Sequence, residues 1–215
     1  MSKNRLLLGA TGLVGRHLLD QSEARHLPLR VLARRPRAHA DPAVGSPTDW
    51  QVLDDLSQAT PEHFAGIDCV LCALGTTQKI AGSRDRFAAI DRDLVLHLAR
   101  MARAAGTRHW LQVSAQGADA GSAIFYNRIK GETENALRDA GFARLDIVQP
   151  SLLLGERDDV RPAEALGQKV MPLLNPLLRG RWRKYRAVSG ATVAATLLQL
   201  SHESTKGTFV HALTP

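Results

Sequence analysis

Seven short apolar runs, spaced along the chain and separated for most of its length by segments of helical period, constrain this sequence more than any other feature. The runs fall at residues 5–9, 29–33, 50–53, 69–73, 110–114, 145–149 and 208–211. Several are apolar nearly throughout, as strands covered by helices on both faces must be, because no side of such a strand meets water. Between them, residues 13–24, 87–105, 125–140 and 191–201 have helical length and spacing. In the third of these, Ile129, Thr133, Ala136, Leu137 and Ala140 recur at helical intervals between charged residues. Strands alternating with helices predict parallel pairing through crossover connections. The expected fold is α/β: a doubly wound parallel sheet, the Rossmann arrangement, which places a ligand at the carboxyl ends of the strands.

Two segments punctuated by proline, glycine or polar residues, 34–47 and 76–84, read as loops. After Pro150 the character changes: 155–161 is polar, and Pro172, Pro176 and Gly180 interrupt the helical pattern. Residues 1–150 are therefore expected to form the nucleotide-binding core. Residues 151–215 are expected to form a small C-terminal appended region that completes the same domain and covers the substrate. At 215 residues the chain is long enough to bury a substantial core.

The first strand runs directly into Gly9-Ala10-Thr11-Gly12-Leu13-Val14-Gly15, and a helical segment follows at once. Glycines at three-residue intervals permit a tight turn, close backbone approach to a pyrophosphate and close helix–sheet packing, and the helix N-terminus supplies N–H donors. Gly9, Thr11, Gly12, Leu13, Val14 and Gly15 are thus the expected phosphate turn of a dinucleotide site. The end of the second strand, where a carboxylate normally takes the adenosine ribose of NAD, carries Arg34 and Arg35. Guanidinium groups bind a 2′-phosphate that a carboxylate would repel. NADP(H) is the expected cofactor in preference to NAD(H); the competing reading is a solvated basic loop of Arg34, Arg35 and Arg37.

Tyr126 and Lys130 are four residues apart on one helical segment and so share a face. Ser114 ends the fifth strand, twelve residues before the tyrosine. These three types suit acid/base chemistry at a carbonyl or alcohol. An ammonium stabilises the phenolate of a tyrosine, and a serine hydroxyl holds the reacting oxygen. Ser114, Tyr126 and Lys130 are the expected catalytic set, with Lys130 also gripping the nicotinamide ribose.

The glycine turn, Ala33-Arg34-Arg35, the segment from Cys72 through Ala73, Leu74, Gly75 and Thr76 to Thr77, Asp91-Arg92-Asp93, Ser114, Tyr126 with Lys130, and Gln149-Pro150-Ser151 together resemble the atypical short-chain dehydrogenase/reductases of the HTATIP2-like (Tat-interacting protein-like) family. The resemblance implies a Rossmann core, NADP(H) binding and an oxidoreductase or epimerase-like activity. It also implies that Asp55 and Leu56 cup the adenine, that Ala73, Leu74 and Gly75 approach the middle of the cofactor, and that Pro150 contacts it. Asp91 stands where many short-chain dehydrogenases place an asparagine that organises a relay water. An NADPH-binding regulatory scaffold without turnover is the nonenzymatic alternative, and an epimerase acting on a nucleotide sugar is the second enzymatic one.

Charge and cysteine content bound the partners. Lys and Arg number 28 against 21 Asp and Glu, a formal +7, which favours anionic ligands without choosing among them. The basic, aromatic stretch at 179–186 could contact a nucleic acid, but no nucleic-acid fold accompanies it, and a solvated or substrate-facing loop is the better expectation. Cys69 and Cys72, three apart on a strand, point to opposite faces and read as core residues, not a metal or redox pair. With no metal site, no segment of about 20 apolar residues and no disulfide framework, the expectation is a cytoplasmic protein with a small-molecule substrate.

Overall fold

A computed structural model describes residues 3–37, 48–154 and 188–214. Its centre is a parallel sheet built from β1 (Arg5–Leu8), β2 (Leu29–Ala33), β3 (Thr48–Val52), β4 (Cys69–Cys72), β5 (His109–Val113), β6 (Arg144–Pro150) and β9 (Gly207–Leu213). The spatial order is β3-β2-β1-β4-β5-β6-β9, every neighbouring pair parallel. The chain therefore winds outward from β1 in one direction and from β4 in the other. Adjacent strands whose connections leave in opposite directions open a crevice at their carboxyl ends, here between β1 and β4. The short β7 (Leu153–Leu154) and β8 (Val188–Ser189) pair separately.

Period-two alternation divides the core into two layers. Leu7, Leu29, Val31, Leu71 and Leu111 pack with α1 (Leu13–Ala24) and α6 (Gly190–Ser201), while Leu6, Leu8, Leu32, Val70 and Trp110 pack with α4 (Val95–Ala104) and α5 (Phe125–Asp139). Cys69 falls in the first layer and Cys72 in the second, both fully buried and unbonded to each other. Burial pushes both thiols up to about 12, so they are inert apolar filling, not thiolate nucleophiles.

The stretch read as a loop at 76–84 contains one helical turn, α2 (Gln78–Ala81). The Thr77 hydroxyl accepts from the Ile80 N–H at its start, and Gly82 in the left-handed region (φ +79°) ends it. Such a turn is too short to show periodicity, which is why sequence pattern missed it. Ser83 caps the next helix, α3 (Arg84–Ala88), by accepting from the Arg86 N–H. Between α3 and α4 the ladder loosens into a π-type stretch, Ala89–Leu94, with Asp91 inside it. Such bulges re-aim a side chain by inserting an extra residue into the helical ladder.

Within 151–215, α6 and β9 belong to the sheet and its helical layer: β9 runs alongside β6 over its whole length, and the Gln21 amide donates to the Ala191 carbonyl, joining α1 to α6. The polar stretch at 155–161, the prolines at 172 and 176, and the basic segment 179–186 lie outside the described residues.

Candidate active site

The glycine turn sits where β1 hands over to α1, and two of its glycines are required by contact. Gly9 has φ +83°, and a Cβ on it would lie 2.6 Å from the Ala73 carbonyl carbon and oxygen. A Cβ on Gly15 would lie 2.1 Å from the Gly9 carbonyl oxygen, so the first turn of α1 can press against the loop only without a side chain there. The Gly12 N–H is spent on the Gly9 carbonyl, closing the turn. What remains is a backbone cradle ahead of a twelve-residue helix, the form that receives an anionic phosphate.

A cleft of about 550 Å³ opens above this turn. Gly9, Thr11, Gly12, Leu13 and Val14 line one side, Arg34 and Leu56 one end, and Ala73, Leu74 and Gly75 the floor. Ser114, Tyr126 and Lys130 line it beyond β4. An adjoining recess of about 200 Å³ is bounded by Leu32, Ala33, Arg34, Arg35, Leu56 and the turn. Three expected contacts are not brought to either wall. Gly15 is buried beneath the turn, Pro150 is buried at the end of β6, and exposed Asp55 spends its carboxylate accepting from the Ser57 N–H, which holds it below the usual carboxylate range. Arg37, the third member of the basic run, is drawn away by Glu23, at 2.5 and 3.0 Å. Arg34 and Arg35 stay exposed.

Lys130 is the best-anchored member of the expected catalytic set. Its ammonium lies 2.6 Å from Asp91 Oδ1, both side chains are buried, and Asp91 Oδ2 accepts from the Thr76 N–H at 2.8 Å. The π-type stretch thus delivers a carboxylate under the lysine. Burial pulls the ammonium's affinity for its proton down, but Asp91, and then the charge coupling to Tyr126, more than restore it, so Lys130 is held protonated. The nitrogen lies 5.9 Å from the centre of the Tyr126 ring, and Phe87 packs on that ring at 5.5 Å. Where an asparagine was the familiar residue, this chain uses a carboxylate to hold the lysine itself.

Ser114 has a partner that the spacing argument did not foresee. Its hydroxyl donates to Glu134 Oε1 at 2.5 Å, and the same buried carboxylate accepts from Gln149 at 2.9 Å and from Arg138 at 3.1 Å. With the hydroxyl hydrogen committed, Ser114 offers the cleft lone pairs. The signal was present in the sequence: Tyr126, Lys130 and Glu134 follow one another at intervals of four and share a helix face. Two further cations on the cleft wall, Arg16 and Arg86, carried no motif and were missed.

The chain resembles known proteins along almost its whole length. A family model described as NAD(P)H-binding matches residues 9–172. The mitochondrial protein fmp52 of Emericella nidulans is 35% identical over 219 residues, covering 95% of this chain and 91% of that protein. Protein HTATIP2 of Rattus norvegicus is 34% identical over 203 residues, covering 92% and 80%. Among solved structures, MoeE5 in complex with UDP-glucose and NAD superposes with a TM-score of 0.73 at 14% identity, covering 98% of this chain and 76% of that one. At that identity the likeness is one of fold. Among the described residues, no helix is long and apolar enough to cross a membrane.

Proposed function

This chain belongs to the NAD(P)H-binding family that includes HTATIP2 and fmp52, and from that premise we propose that it is an NADP(H)-dependent oxidoreductase of small carbonyl or alcohol compounds with Tyr126 as acid/base. One observation carries the reading: a tyrosine, a lysine paired with a buried aspartate and a serine line the same cleft as a glycine phosphate turn and the exposed Arg34. The residues present fit a dinucleotide. The glycine turn lines the cleft with backbone where a pyrophosphate would be bound, and Arg34 and Arg35 border the recess where a 2′-phosphate would be received. When bound, the nicotinamide supplies or accepts the hydride.

The side chains handle the proton and the oxygen. Tyr126 donates its phenolic proton to the carbonyl oxygen in reduction, and the phenolate removes a proton from the alcohol in oxidation. Lys130, fixed by Asp91, stabilises the phenolate through charge and cannot drift, because its ammonium is buried against its counter-ion. Ser114, with its hydrogen held by Glu134, accepts a hydrogen bond from the alcohol or from Tyr126, which favours binding the alcohol form.

Cofactor choice is tested by fluorescence titration with NADPH and NADH. The wild-type protein is expected to prefer NADPH by roughly tenfold or more, since a charge-assisted contact to phosphate contributes about 1.5–3 kcal/mol. Replacing both Arg34 and Arg35 with Gln is expected to remove most of that preference and leave NADH affinity within about twofold. Equal wild-type affinities would overturn the assignment of the arginines. A cytoplasmic address is part of this reading, against the mitochondrial one carried in the name of fmp52, and fractionation of the source cells decides between them.

A further inference from the structure

We infer that the substrate carries an anionic group, a carboxylate or a phosphate, on an apolar body, and that Arg86 receives it; this rests on the oxidoreductase reading above. The argument begins with the charges on the cleft wall. Among the described residues that line it, none is Asp or Glu, and the cations are Arg16, Arg34, Arg86 and Lys130. Lys130 is neutralised from behind by Asp91. Arg34 stands at the recess beside the turn, and Arg16 follows the glycine turn on α1, so both lie on the nucleotide side. Arg86 is the cation left over once the phosphates of a dinucleotide are matched.

Its position is fixed by its neighbour. Phe87 is fully buried, its ring 5.5 Å from Tyr126 and 5.9 Å from Phe125, and this clamps α3 beside the catalytic tyrosine. Adjacent helical residues point about 100° apart. With Phe87 turned into the core, Arg86 is exposed on the cleft wall. The other arginines nearby are engaged: Arg84 and Arg128 lie over the Phe125 ring at 5.2 and 5.6 Å, and Arg92 is paired with Asp93 and Glu132. The Arg86 guanidinium has neither a hydrogen bond nor an ion pair among the described residues. Ile80, Ala81 and Ile90 share its stretch of wall and would take the apolar body.

The test uses the NADPH-loaded full chain and three probes of equal reach: hexanoate, butyl phosphate and hexanamide, titrated by calorimetry. At least one anion is expected to bind about fivefold or more tighter than the amide, the scale of one partly exposed charged contact. In Arg86→Gln that gap should shrink to within about twofold while NADPH affinity holds, and Arg86→Lys should retain part of it. Which anion wins separates the carboxylate from the phosphate. No gap in the wild type, a gap that survives in Arg86→Gln, or a loss of NADPH affinity in that variant would each overturn the inference, the last by placing Arg86 on the cofactor. Reduction of a broad set of uncharged and acidic carbonyls is measured separately. Arg86-dependent anion binding without any turnover sinks the oxidoreductase reading and leaves the anion site standing; turnover with no dependence of binding on charge does the reverse.

Discussion

Tyr126→Phe is expected to lower turnover by a factor on the order of 10²–10⁴, the range over which a positioned acid/base acts, while NADPH affinity stays within about twofold. The phenyl ring keeps the packing that Phe87 makes on Tyr126 at 5.5 Å, so the fold around the site is preserved and only the proton donor is lost. Steady-state rates with a reducible carbonyl, alongside a fluorescence titration of NADPH, separate the two quantities. A variant that turns over at the wild-type rate would remove Tyr126 from the mechanism. Lys130 makes a poorer probe, because its removal also strands the buried Asp91 carboxylate, and breaking such a pair from one side costs about 3–5 kcal/mol.

Asp146→Ala is expected to cost about 3–5 kcal/mol of stability in urea unfolding. This fully buried carboxylate accepts from His109 Nε2 at 2.7 Å, from Arg144 at 2.6 and 2.9 Å and from His211 Nε2 at 2.7 Å, and so ties β5, β6 and β9 together toward the amino ends of the strands. Alanine would leave the buried Arg144 guanidinium, among the described residues, with the Thr205 carbonyl and the face of the Phe209 ring but no counter-ion. The wild-type protein offers an independent reading through pH. Burial pushes the Asp146 carboxyl up, but the hydrogen bonds from His109, Arg144 and His211 outweigh it and hold the group at about 2, against 3.8 ordinarily. An acid whose folded value is depressed stabilises the fold above its unfolded value and loses that contribution as pH falls toward the folded one. About 2 kcal/mol is therefore expected to disappear between roughly pH 4 and pH 2. His109 acts in the same direction earlier: burial, only partly offset by Asp146, holds its imidazole below the usual 6.5, so falling pH protonates the unfolded chain first. Stability that is level from pH 7 to pH 2 would contradict both assignments.

His109 and His211 show where reading the chain stops. Each is plain as a strand residue, and neither carries a ligand spacing, yet they converge on one carboxylate 37 and 65 residues away. No window of local sequence contains that geometry; strand register creates it. Ser114 and Glu134, at a separation of 20, and Asp91 and Lys130, across a π-type stretch that no periodicity announces, are brought together instead by the packing of helical segments. Asp55 shows a local bond that no motif announces: expected at the adenine, its carboxylate also accepts from the Ser57 N–H two residues on, an Asx cap that costs little backbone order. The residues expected of the site by position along β1 and α1 were legible because their job is backbone shape, which glycine spacing encodes directly.

What the sequence determined on its own was the winding: apolar runs of strand length, helical segments between them, and a glycine turn after the first strand admit one sheet with one crevice, because parallel strands need crossovers and a crossover closes in one hand. α1 at Leu13–Ala24 follows from that pattern to the residue, and α5 at Phe125–Asp139 to within one. What only the tertiary structure decided was the state of the chemical groups: that Lys130 is pinned by Asp91, that Ser114 presents lone pairs and not a hydrogen, and that Arg86 stands on the wall beside Tyr126 with its guanidinium unpaired among the described residues. Periodicity reports which face a side chain leaves from, but protonation and hydrogen-bond direction depend on partners a few ångströms away, and those are set by the packing of elements far apart in the chain.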